Sequence, residues 1–202
     1  MTTAGYFRHP DNEAAEQYAE SLGVFARYGN SDCSVYIAEN FTAALKITQA
    51  AGLQLPERIV DEPRWFKAHY PNHHHLLHAT SERALVRINS HSEYWEDHGE
   101  KAQEITRRLY MKQMWSSASE LHVALHELMH VAQYLRNPTQ WFTLESQGFS
   151  EATGDIIRLQ VSKYGAEDAI EFLAEAGVGS LIGRTFPGEI MEIYRSLGGI
   201  PI

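Results

Sequence analysis

Residues 126–130 read HELMH, inside the longer run SSASELHVALHELMHVAQYLRNP (116–138). The longer run predicts a single helix. Ser117 followed three residues later by Glu120 is a capping-box pattern, and Pro138 predicts a stop at or before Asn137. Advancing about 100° per residue, Leu121, Leu125, Leu128, Ala132 and Leu135 fall in one stripe, the expected core-facing surface. His122, His126, His130 and Tyr134 form a second stripe on the far side, with Glu127 beside it. A plain solvated face would carry Lys, Glu and Gln. Histidines and an aromatic flanked by Val123 and Val131 predict the floor of a cleft.

The spacing has a chemical reading. Residues four apart stand one above the other on a helix, so both imidazoles can bind one tetrahedral Zn²⁺ at about 2.0–2.1 Å. Glu127, directly after the first histidine, faces the open position, where it can take a proton from water. The bland alternative is two hydrogen-bonded or solvent-facing histidines that share this spacing by chance. A catalytic zinc takes three protein ligands. The H-E-x-x-H-x-x-G-x-x-H extension needs glycine at position 133 and histidine at 136, where this chain has Gln133 and Arg136. His122 lies about two turns from His130 and is too far away to share its ion.

A carboxylate is the expected third ligand. GFSEATGD (148–155) places Glu151 at the start of a new helical pattern, with Asp155 one turn later. A ligand followed by a second acid suits a site in which the outer acid holds the far nitrogen of a ligating histidine. Glu145 is the competing ligand. The alternative for Glu145 and Glu151 is a solvated carboxylate favoured by a helix N-terminus.

The rest of the chain bounds these readings. With 202 residues, 44% of them hydrophobic and 21% charged, it predicts one domain with an ordinary core. A net charge of −9 without a basic stripe argues against nucleic acid as a partner. The single cysteine, Cys33, excludes an intrachain disulfide and zinc sites built from several thiolates. No stretch approaches the roughly 18 apolar residues of a membrane span. The start MTTAGYFRHPDNEAAEQYAE shows no signal pattern, so a cytoplasmic location is the expectation.

Helices are expected over 12–28, 40–52, 96–115, 148–165, 166–176 and 187–197, the last two separated by the glycine-rich GVGSLIG. Strands are expected at 33–38 and 83–89, with an extended segment over 56–66. HHHLLH (73–78) reads as a solvated loop. Mixed elements first and helices afterwards predict an α+β fold, with an α/β lobe over about 1–137 and a helical lobe over about 138–202.

HELMHVAQ followed by GFSEATGDIIRL resembles the gluzincin metallopeptidases, the thermolysin-like clan. Within it, the pair is most similar to the plant basic secretory protein and peptidase-MA-like families. The resemblance covers about residues 117–160. It implies a zincin-like fold and one Zn²⁺ per chain, held by His126, His130 and Glu151, with Glu127 as general base and Asp155 as the partner of His126. It also implies a strand above the helix, here 84–89, that pairs with an extended peptide substrate. Such enzymes often supply an oxyanion-stabilising side chain, for which Tyr194, Tyr164, Tyr134 and His91 are the candidates. The expected activity is peptide-bond hydrolysis through a zinc-activated water. The rivals are a zinc enzyme acting on a small molecule and a non-catalytic binding module.

Overall fold

The computed structural model describes residues 10–29, 31, 33–70, 77–80 and 84–202. Along the chain come α1 (Glu13–Ser21), β1 (Phe25–Arg27), α2 (Ser34–Ala50), β2 (Arg58–Asp61), α3 (Pro63–His69), β3 (Leu77–Thr80) and β4 (Leu85–Ile88). The second half is helical: α4 (Glu100–Met111), α5 (His122–Arg136), α6 (Pro138–Leu144), α7 (Glu151–Gln160), α8 (Ala169–Leu181) and α9 (Gly188–Ser196). The fold is α+β, with one small mixed sheet among the described residues. No helix among the described residues is long and apolar enough to cross a membrane.

Two early expectations change. The predicted helix over 12–28 stops at Leu22, where Gly23 takes a positive φ, and the chain turns into β1. The strand expected at 33–38 is instead the opening of α2. Ile37, Ala38, Phe41, Ala44, Leu45 and Thr48 are all buried, and that spacing of three to four residues belongs to a helix. Burial of one helical face there overrides the weak strand preference of Val35 and Ile37.

The sheet runs in the order β1-β2-β4-β3. β1, β2 and β4 are parallel, whereas β3 pairs antiparallel with β4, with Ala79 opposite Val86. The strand expected over 83–89 is therefore interior, held on both sides, and among the described residues β3 is an edge, as is β1. Helix α5 packs beneath β3 and β4 and lies between α2 and α8. Leu125, Leu128 and Ala132 point from it into the main core, as their stripe predicts, together with Phe41, Ile59, Val86 and Trp95. A second core gathers Leu144, Ile157, Phe172, Ile190 and Tyr194 from the later helices. Helix α8 feeds both cores.

The glycine-rich run does not separate two helices; Gly177 and Gly179 lie inside α8. An added Cβ at Gly177 would stand 2.3 Å from Cε and 3.1 Å from Sδ of Met129, on α5. Glycine in a helix interior costs about 1 kcal/mol relative to alanine. Here it allows α8 to approach the histidine-bearing helix closely.

Candidate metal centre and its cleft

The histidine helix starts later than its capping box predicts. Ser117 Oγ accepts from Ser119 N at 2.9 Å, and Ser119 Oγ from Leu121 N at 3.2 Å, so side-chain bonds hold residues 117–121 ahead of the helix. α2 fixes this entry, because Asn40 donates to Glu120 O at 3.0 Å. The polar stripe survives the shift. His122, His126 and His130 are all buried, and they face α8.

α8 runs antiparallel to α5 and answers the histidines with two acids. Glu171 Oε2 lies 2.9 Å from His126 Nε2 and 3.5 Å from His130 Nε2, and the two nitrogens are 2.9 Å apart. Three ligands of a tetrahedral ion at 2.0–2.1 Å stand about 3.3–3.4 Å from one another, so the set fits an ion with small adjustment. Glu171 Oε2 is buried and has no aligned hydrogen-bond donor, although two imidazole nitrogens lie beside it. That is the environment of an atom whose partner is a cation. This cluster could hold a metal ion.

Behind it lies a second group. Glu175 Oε1 is 3.0 Å from His122 Nε2 and 3.2 Å from His126 Nδ1, and by distance these three residues could also hold an ion. The two groups share His126 and differ in access. His122 and Glu175 are sealed in the interior, and Ser116 N donates to Glu175 Oε2 at 2.6 Å. Glu171 and His130, by contrast, border a cleft.

The electrostatics agree with a site built for positive charge. Burial alone would raise the Glu171 carboxyl, but the charge of His130 and the contacts from both histidines outweigh it. Its pKa falls far below the ordinary carboxylate range. Glu175 behaves alike: burial raises it, and His122 and His126 more than reverse the effect. Burial would lower His126, yet Glu171 and Glu175 push it well above the ordinary imidazole value. Glu175, buried, and Glu171, largely enclosed, need a cation between them, and either a proton on His126 or a metal ion can supply it.

The cleft encloses about 330 Å³. Tyr70, His78 and Ala79 form one wall, Trp141, Glu145 and Ile170 another, and Glu127, His130, Tyr164 and Glu171 complete it. Glu127 Oε2 accepts from Ala79 N at 2.7 Å, so the outer edge of β3 is turned toward the catalytic candidate. Tyr164 stacks on His126, with ring centroids 5.6 Å apart. Its backbone is fixed where Lys163 N and Tyr164 N donate to Gln113 O and Met114 O. Burial first, then the charges of Glu171 and Glu127, push the Tyr164 hydroxyl far above its usual value, so it stays a proton donor.

The structure thus brings together His126, Glu127, His130 and one of the oxyanion candidates, Tyr164. It does not bring the expected third ligand with them. Glu151 is exposed in the first turn of α7, and Asp155 is exposed and paired with Arg158. Glu171 stands where Glu151 was expected, and Glu175 stands where Asp155 was. Glu145 lies on the cleft wall, outside the ligand cluster. Of the other oxyanion candidates, Tyr194 is buried in the second core beside Gln133, and Tyr134 packs on Trp141 and Phe142. His91 lines a different pocket with Cys33 and Ser90. Of HHHLLH, residues 73–76 lie outside the described residues, while Leu77 and His78 belong to β3 and so depart from the expected loop. No protein-family model, curated protein or solved structure matches the chain.

Proposed function

We propose that this chain is a zinc-dependent hydrolase of zincin-like fold, a metallopeptidase that cleaves peptide bonds. One observation carries the reading: His126, His130 and Glu171 converge beside a cleft that His130, Glu171 and Glu127 line, with Glu127 outside the ligand set. A structural metal site needs no such extra acid. Zn²⁺ bound there would polarise a carbonyl and ease deprotonation of water at neutral pH. Glu127 takes the proton from the attacking water and passes it to the leaving amine. Tyr164, held protonated, donates toward the oxygen on which charge develops. Trp141, Tyr70 and Ile170 keep bulk water from the reacting centre.

The edge of β3 supports a peptide as substrate. An extended chain added to that edge lies across the cleft, and it competes with Glu127 for the Ala79 N–H. The cleft volume favours a second reading, a small-molecule substrate, because about 330 Å³ is near the lower end for ligand pockets. Metal content and hydrolysis of a pool of denatured proteins decide between them. One zinc per chain with new peptide termini supports the peptidase. Zinc without peptide cleavage, but with hydrolysis of small amides or esters, supports the second reading. No stoichiometric metal after zinc is supplied would sink the site.

A further inference from the structure

We infer that His122 is a positioning residue for the metal centre: through Glu175 it sets which ring nitrogen of His126 carries the proton. The inference rests on the zinc-site reading. A neutral imidazole has one N–H and one lone pair. With the proton on Nδ1, 3.2 Å from Glu175 Oε1, the lone pair on Nε2 faces Glu171 and His130. With the proton on Nε2, it would stand where the ion belongs. Outer carboxylates fix such tautomers, but a buried carboxylate must itself be held.

His122 supplies part of that grip. It is 1% exposed, with its ring flat against Trp115 at 4.5 Å and its Nε2 3.0 Å from the same Glu175 Oε1 that meets His126. Ser116 N takes the other oxygen, at 2.6 Å, and Ser116 Oγ donates to Glu175 O at 2.7 Å. Glu175 is thereby hydrogen-bonded at Oε2 and at its backbone, and Oε1, which has no aligned donor, lies within 3.2 Å of the two imidazole nitrogens. Without the donor on His122, Oε1 would have His126 alone beside it, and the carboxylate could turn away. The same three residues could hold an ion of their own only if His126 gave up both ring protons, because its Nε2 already serves the outer group.

The test compares His122→Phe, which keeps the ring on Trp115 but removes the donor, with His122→Gln, whose amide can reach Glu175. Zn²⁺ affinity is measured on the full chain by competition with a chelator, alongside the melting of the metal-free protein and nitrogen NMR of the His126 ring. The expected result is one zinc per chain throughout and affinity about 10–100-fold weaker in His122→Phe, the usual weight of an outer partner. His122→Gln should recover most of that loss. His126 should be protonated at Nδ1 in the zinc-loaded wild type. A purely structural role would lower melting alike in both variants and leave affinity and tautomer unmoved; that result overturns the inference. If His122→Phe does not fold, His122→Asn, too short to reach Glu175, takes its place against His122→Gln. Two zinc ions in the wild type and one in the His122 variant would place an ion in the inner group and overturn the positioning role, leaving the outer site intact. No zinc in the folded wild type would overturn both.

Discussion

Helices α7 and α8 begin alike and end up in opposite roles. Each is capped by a side-chain oxygen: Ser150 Oγ accepts from Thr153 N at 3.2 Å, and Asp168 Oδ1 from Glu171 N at 2.9 Å. Each carries an acid in its first turn and a second acid four residues later, Glu151 with Asp155 and Glu171 with Glu175. On α7 the pair faces outward while Gly154 and Ile157 are buried. On α8 the pair meets the histidines of α5. Spacing along a helix decides which residues share a face. It does not decide what that face meets.

The largest expected effect tests the α8 half of this comparison. His130→Ala and Glu171→Gln should each abolish stoichiometric zinc binding, read by elemental analysis after dialysis. The zinc-dependent rise in melting temperature should vanish with it, because an ion that binds only the folded chain stabilises it. Should Glu151→Gln release the metal while Glu171→Gln retains it, the ligand assignment would be reversed.

Next in size is Glu127→Gln. Zinc should stay, because Glu127 lies outside the ligand cluster and bonds to β3. Hydrolysis should fall by about 10²–10⁴, the range for a general base. Full turnover in this variant would exclude the proposed chemistry and leave the metal site standing.

A smaller effect tests what brings α8 close to α5. Gly177→Val adds a branched side chain where a single Cβ already meets Met129. Overpacking of this kind costs about 1–3 kcal/mol. Denaturant unfolding should show that loss, and zinc affinity should drop a few-fold as Glu171 is pushed away from the histidines. Unchanged affinity would mean that the helix pair has slack to absorb the bulk.

Much of α5 is legible in sequence. The apolar stripe of Leu125, Leu128 and Ala132 and the polar stripe of His122, His126 and His130 lie where 3.6-residue periodicity puts them. The α+β class follows from the order of elements. The partner helix is harder to read, because the acids of α8 lie forty and more residues beyond the histidines and reach them only through packing. Still, a signal is present. Glu175 sits among Leu173, Ala174, Ala176 and Gly177, in a helix apolar nearly all round, where a carboxylate has no water and must have a partner. Acids on α7 have Thr153, Arg158 and Gln160 for neighbours and need none. The spacing in GFSEATGD and the resemblance both point to Glu151 as the third ligand; the surroundings of each acid separate the two pairs better than their spacing does. The segment 33–38 differs from its expected strand for a related reason: β-branched composition masks a helical burial period.

The smallest expected effect belongs to α7 and closes the comparison. Glu151→Gln and Asp155→Ala change exposed residues, and Asp155 loses only an ion pair with Arg158 on the same helix. Surface pairs of this kind contribute about 0–1 kcal/mol. Glu151 also sits in the first turn, where a negative charge gains a few tenths of a kcal/mol from the helix dipole, about 0.3–1 kcal/mol at most sites. Together the two changes should lower stability by about 2 kcal/mol at most, with zinc stoichiometry, zinc affinity and turnover unaltered. Chemical denaturation and chelator competition on the double variant measure both quantities in one protein. A loss of zinc affinity larger than the loss of stability would show that α7 reaches the metal centre after all, and that the two helices divide the ligand role between them.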